Sequence, residues 1–134
     1  MPLDTYRETA KVLDYRRLGK QRVECKQILL ALTGQSKGWV QHPAVKMWRG
    51  YEDQLALYAA EICMEWRRRG YRDTLLSWFT EQHTNLPSSE LPPWMGNPDF
   101  HLSHRSNLLR KAPDHYGQLW PEVPNDLPYV WPMP

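Results

Sequence analysis

The apolar residues of this chain recur at steps of three and four, and no stretch alternates as a half-buried strand would. From about Thr5 to Leu32, Leu18, Cys25, Leu29 and Leu32 form one apolar stripe, and Val12, Val23 and Leu30 form another. The spacing predicts a long first helix, with Gly19 as the point where it bends or divides. The run Thr33-Gly34-Gln35-Ser36-Lys37-Gly38 ends it. A second long helix is predicted from His42-Pro43, with proline tolerated in the first turn. Its apolar line is Ala44, Trp48, Tyr51, Leu55, Tyr58, Ile62 and Trp66, and it closes on Arg67-Arg68-Arg69-Gly70. There cations complement the helix C-terminus and glycine supplies the cap. A short helix is expected from Arg72 to Phe79, then a loop rich in turn residues, then a helix from Asp99 to Lys111. The tail from Pro113 holds six prolines; it reads as non-helical and extended across the helices, with Tyr129 and Trp131 as anchors. The fold class is therefore all-α: one compact helical domain over residues 1–134, with two long helices, a shorter C-terminal helix and an extended Pro/Trp-rich wrap.

Composition sharpens this picture. The chain has seven Trp and seven Tyr but two Phe, a bias toward rings with a polar handle, which suits either a tryptophan-rich core or a surface that stacks on flat ligands. Net charge is +2, unevenly spread. Residues 1–70 hold thirteen Lys and Arg against eight Asp and Glu, a balance of +5; residues 71–134 hold four against seven, a balance of −3. A basic front half fits a phosphate-binding face, although charged helix faces are commonly just solvated. Cys25 and Cys63 fall beside apolar residues in helical patterns and read as small buried hydrophobes, not a disulfide. With no signal-peptide pattern and no apolar run of the ~20 residues a membrane span needs, the expectation is a soluble, cytoplasmic, monomeric protein.

One position in the basic half stands out. Arg17, Lys20, Glu24 and Gln27 share a face of the first helix, so Glu24 is a lone acid among Arg16, Arg17, Lys20, Arg22 and Lys26. The face lies between the two apolar stripes, which predicts partial enclosure. Near it, Pro2 follows Met1, and removal of the methionine would leave a secondary α-amine. An α-amine has a reference pKa of about 7.7–8.0 against ~10.4 for lysine, so far more of it is unprotonated at neutral pH. Such an amine attacks electrophilic sugar carbon and forms a Schiff base. A nearby carboxylate can stabilise charge at C1′ and move protons during ring opening and elimination. Pro2 and Glu24 would thus suffice, without metal or cofactor, to cleave a glycosidic bond and then a DNA strand. The plainer reading of the same residues is an i,i+4 ion pair between Lys20 and Glu24.

Three blocks carry a family resemblance. Leu13-Asp14, Arg17-Leu18 and Arg22-Val23-Glu24 form the first. His42-Pro43-Ala44, Met47-Trp48 and Gly50-Tyr51-Glu52, continuing to Glu65-Trp66 and Arg69-Gly70-Tyr71, form the second. His101, Ser103-His104-Arg105-Ser106-Asn107-Leu108-Leu109-Arg110-Lys111, Pro113 and Tyr116 form the third. In this order they resemble the pyrimidine-dimer DNA glycosylase/AP lyase family, the phage endonuclease V-like enzymes, and within it a bacterial and actinophage branch. The resemblance implies a mostly helical domain acting on double-stranded damaged DNA through an N-terminal amine and a catalytic glutamate, with no cofactor. Glu24 matches the acid, and Pro2 stands where the phage enzyme has threonine. Arg22 and Lys26 resemble the basic residues flanking the acid, and Arg105, Arg110 and Lys111 fall in the DNA-contacting region.

The bottom-up reading adds Arg16, Arg17, Lys20 and His104 as candidate phosphate contacts. Reaching C1′ in a duplex calls for an extruded nucleotide, and Trp48, Trp94 or Tyr116 could fill the gap, although each reads more readily as core. A variant of the chemistry uses Lys20 as nucleophile. Two other readings remain open: a non-catalytic nucleic-acid-binding module on the same fold, and a metal-dependent nuclease built on His101 and His104, spaced i,i+3, with Asp99 and His115 near in sequence.

Overall fold

The structure is a computed structural model that describes residues 1–38 and 41–132. Among the described residues there are seven helices and no strand: α1 Tyr6–Val12, α2 Tyr15–Leu32, α3 Pro43–Trp48, α4 Glu52–Arg68, α5 Leu76–Asn85, α6 Pro98–Lys111 and α7 Pro113–Leu119. The all-α expectation holds. Both long helices, however, are divided at places the apolar spacing does not mark.

The first helix breaks at Leu13-Asp14, not at Gly19. Leu13 and Asp14 are both extended, and Leu13 turns its side chain into the core. Tyr116 of α7 holds the break: its hydroxyl accepts from the Asp14 amide at 2.9 Å and donates to the Asp14 carboxylate. Gly19 lies inside α2 for a packing reason. A Cβ there would sit 2.9 Å from Cη2 of Trp66, so the glycine lets α4 approach α2 closely. The second helix breaks at Gly50, whose φ of +88° ends α3 before α4 starts at Glu52. His42 caps α3 by accepting from the Ala44 amide through Nδ1 at 3.0 Å, ahead of Pro43 in the first turn.

Two further boundaries differ. The short helix begins at Leu76 instead of Arg72, because the Asp73 carboxylate accepts from the amides of Leu75 (3.1 Å) and Leu76 (2.7 Å) and fixes the start. The segment after Pro113 is helical as far as Leu119, which corrects the expectation of a wholly extended tail. Pro113 occupies the first turn, where its missing N–H costs nothing, so this proline opens a helix. The remainder turns at Pro121-Glu122, where the Val123 amide donates to the Trp120 carbonyl at 3.2 Å, and from Asp126 to Pro132 has no regular secondary structure.

The central element is α4, packed against α5, α2 and α1. Trp48, Trp94 and Tyr116 are all buried, so none is placed to fill a gap in DNA. Trp48 stacks on Tyr58 at 5.8 Å and meets Trp94 edge-on at 4.9 Å. Trp94 satisfies its indole N–H on the Met47 carbonyl at 3.0 Å. Cys25 and Cys63 are buried free thiols. The tail is fastened to α6 through side chains on one helix face. Ser106 accepts from the Leu127 amide (3.0 Å), Ser103 from the Val130 amide (3.1 Å), and Arg110 donates to the Asn125 carbonyl (2.8 Å). Among the described residues no helix is long and apolar enough to cross a membrane.

Candidate active site

A cavity of about 680 Å³ opens between α2, α3, α4, α6, the chain start and the tail. From α2 it takes Arg16, Arg17, Lys20, Gln21, Glu24, Cys25 and Ile28; from the chain start Met1 and Pro2; from α6 His104, Leu108 and Lys111; and from the tail Tyr129 and Trp131. Pro2 and Glu24, singled out in the sequence, therefore line one compartment.

Glu24 is half-buried, as its place between two apolar stripes predicts, and Lys20 Nζ lies 3.5 Å from Glu24 Oε1. The Lys20 side chain is 74% exposed, so this pair is a loose one of little energetic value. Burial pushes the Cys25 thiol and the Tyr58 hydroxyl well above their ordinary values, with the negative charge of Glu24 adding to both. Both therefore stay neutral beside it. Tyr58 donates to Gln21 Oε1 at 3.1 Å, fixing the back of the cavity.

The chain start is held at successive backbone positions by α6. The Met1 amine lies 2.9 Å from His104 Nδ1, His101 Nδ1 lies 2.9 Å from the Met1 carbonyl oxygen, and Arg105 donates to the Pro2 carbonyl at 2.9 Å. Positions 101, 104 and 105 share one helix face, which is why three side chains reach one short segment. The tautomers follow from the partners. His101 Nε2 accepts from the Gly96 amide at 2.9 Å, so its Nδ1 carries the hydrogen given to Met1. Burial lowers the Met1 amine to about 5, so it is neutral at pH 7. Burial likewise lowers His104 to about 2, with the amine adding to the effect. A neutral His104 accepts from the amine through Nδ1, and its Nε2 is screened from solvent without a partner among the described residues.

The candidate DNA-contacting cations are not equivalent. Arg16 and Lys20 are exposed and Arg17 half-buried at the cavity rim, where Arg17 pairs with Asp14 at 3.3 Å. Lys111, also exposed, completes the rim, its ammonium 3.3 Å from the Tyr129 hydroxyl. Arg22 faces inward in an ion pair with Asp73, and its guanidinium covers the Trp66 ring at 5.1 Å. Lys26 lies over the Trp78 ring at 5.4 Å. Arg105 and Arg110 are engaged with Pro2 and with the tail, and His104 with Met1. Arg22, Arg105, Arg110 and His104, expected from the sequence as DNA contacts, each have a partner within the protein.

His101, His104 and His115 each face a different backbone group; His115 Nε2 lies 2.9 Å from the Val12 carbonyl. Among the described residues no group of three His, Cys, Asp or Glu converges as metal ligands would. Sequence reasoning missed the clamp on the chain start and the aromatic cover of Tyr129 and Trp131 over His104, whose ring centroids lie 5.2 and 5.7 Å away. The spacing of His101, His104 and Arg105 was visible, but nothing local named their partner.

The molecule is thus a small helical protein whose cavity joins a neutral chain-terminal amine, a carboxylate and a cationic rim. Residues 1–78, more than half of the 134, match the pyrimidine dimer DNA glycosylase family, and the chain belongs to it. The matched stretch contains Pro2, Glu24 and the rim cations of α2. Neither the curated proteins nor the solved structures contain a significant match.

Proposed function

We propose that this protein is a DNA-repair glycosylase with associated AP-lyase activity on damaged, pyrimidine-dimer-type sites in duplex DNA. The observation that carries the proposal is the shared cavity: the chain start and Glu24 line it together, and Arg16, Arg17, Lys20 and Lys111 surround its mouth. With Met1 removed, the lone pair of the Pro2 nitrogen attacks C1′. The bond from C1′ to the base breaks, the base departs with the electron pair and takes up a proton, and the amine loses its own. Ring opening, with O4′ gaining a proton, leaves an iminium joining Pro2 to C1′. Loss of a proton from C2′ sends its electron pair toward the iminium and expels the 3′ phosphate. Water then releases the sugar fragment and restores the amine. Glu24 faces positive charge at each cationic stage and carries protons between steps.

Borohydride reduction tests this directly. Met1-free protein, its terminus confirmed by mass spectrometry, is expected to form one covalent adduct with duplex DNA bearing an abasic site or a pyrimidine dimer, mapped by digestion to Pro2. No adduct on either substrate would overturn the proposal. An adduct that survives blocking of the α-amine would move the nucleophile to Lys20, which lines the same cavity.

A further inference from the structure

Met1 is joined to Pro2 through the atom that the proposed reaction would attack from. The Met1 carbonyl carbon is bonded to the Pro2 nitrogen through a planar link with partial double-bond character. A prolyl iminium is planar for the same reason and carries C1′ of the sugar at that position. C1′ therefore corresponds to the Met1 carbonyl carbon and C2′ to the Met1 Cα, and in the carbinolamine that precedes the iminium the oxygen on C1′ corresponds to the Met1 carbonyl oxygen, leaving as water when the iminium forms. Removal of Met1 would strip two buried polar groups of their partners. His101 Nδ1 would lose the oxygen at 2.9 Å and His104 Nδ1 the amine at 2.9 Å. An orphaned buried donor or acceptor costs about 1–3 kcal/mol, and His104 Nε2 already lacks a partner among the described residues. Arg105, bonded to the Pro2 carbonyl at 2.9 Å, would keep Pro2 in register.

We infer that the space filled by Met1 is the deoxyribose subsite, with His101 placed to donate to the oxygen on C1′ and His104 beside C2′, and that Met1 plugs this subsite until it is removed. The inference rests on the proposed glycosylase/lyase reading and adds to it two sugar-binding residues and a means of holding the unprocessed chain idle. For an abasic aldehyde the step balances without a co-reactant. The Pro2 nitrogen bonds to C1′, the carbonyl π pair moves to oxygen, and the amine proton ends on that oxygen. His101 Nδ1–H would steady the negative charge as it forms.

A non-covalent assay separates this inference from the reading beneath it. The probe is duplex DNA with a borohydride-reduced abasic site, which keeps the oxygen on C1′ but cannot form an imine; a tetrahydrofuran site, lacking that oxygen, is the control. Met1-free protein should bind the reduced site about tenfold more tightly than the control, the value of one well-placed hydrogen bond. Protein retaining Met1 should bind both alike, and this comparison needs no substitution that could disturb folding. His101→Phe in the Met1-free form should also abolish the preference. An equal preference with Met1 retained, or its absence in the Met1-free form, would overturn the inference. A covalent adduct without the preference leaves the proposed reaction standing and removes the subsite; the preference without an adduct does the reverse.

Discussion

Arg22→Ala separates a structural cation from a DNA-contacting one. The sequence places Arg22 as a phosphate contact beside the acid, yet its side chain is 12% exposed and its partner Asp73 is 1% exposed. Nε donates to Asp73 Oδ1 at 2.8 Å. The same carboxylate opens α5 by accepting from Leu75 and Leu76. Burial alone would push the Asp73 carboxyl up, but hydrogen bonds from Arg22 and the Leu76 amide outweigh it and hold the group below the usual carboxylate range. Removing the guanidinium leaves a buried carboxylate without its counterion, at a cost of about 3–5 kcal/mol. Loss of the cation over Trp66 adds about 0.5–1 kcal/mol. Against a total stability of roughly 5–15 kcal/mol this is a large fraction. The assay is urea unfolding followed by tryptophan fluorescence, paired with DNA binding measured as a function of salt. The expected result is a lower midpoint with the same salt dependence of binding at temperatures where the variant is folded. A loss below about 1 kcal/mol, the range of a solvent-exposed pair, or a salt slope shallower by about 0.9, the loss of one phosphate contact, would refute the reasoning.

Three other perturbations probe separate features. Glu24→Gln should slow strand cleavage on abasic duplex by about 10²–10⁴-fold, the span of a lost acid–base group, while unfolding moves by less than about 1 kcal/mol because the Lys20 pair is exposed; unchanged cleavage would remove Glu24 from the chemistry. Gly19→Ala should destabilise by about 1–3 kcal/mol through overpacking against Trp66, despite the ~1 kcal/mol alanine gains over glycine in a helix; stabilisation in the urea midpoint would contradict the close approach. In the Met1-bearing chain the amine falls from 8.0 in the unfolded state to about 5 when folded. Between those values the unfolded state binds more protons, so stability should rise with pH across pH 5–8, by about 1.4 kcal/mol for each pH step of one, and level off above that window. The lowered His104 works in the same direction below its ordinary value. A urea midpoint flat from pH 5 to 8 would show that the amine is not buried neutral.

What the sequence made legible was set by distance along the chain. Helices follow from local apolar spacing, and the enclosed position of Glu24 follows from two stripes on the same helix. The break at Leu13-Asp14 does not, because it depends on Tyr116, 102 residues away. Gly19 looks like a hinge from its propensity alone, and only the Trp66 ring lying on it reveals a close-packing role. Pro113 misled for a similar reason: proline count argues against helix, whereas position within the first turn decides. His101 and His104 suggested a metal site because their spacing is local information; the chain start that occupies them is about 100 residues distant. Sequence charge likewise could not divide inward Arg22 from outward Arg16, since both are cations near the same acid.

The two walls of the cavity have different standing with respect to the family. The wall built by residues 1–78 carries the chain start, Glu24 and the rim cations of α2, and it is the stretch that matches. The facing wall, with His104 and Lys111 on α6 and Tyr129 and Trp131 on the tail, lies beyond it. In the proposed reaction the matched wall supplies charge and the nucleophile, which any deoxyribose would meet in the same way. The facing wall supplies shape: Trp131 and Tyr129 cover His104, and their backbone position is set by Ser103 and neighbouring side chains of α6. Discrimination among lesions requires contacts that differ between bases, so selectivity is to be sought on the facing wall and turnover on the matched one. Substitutions at Tyr129 or Trp131 are accordingly expected to change which damaged site is processed more than whether an abasic site is cut.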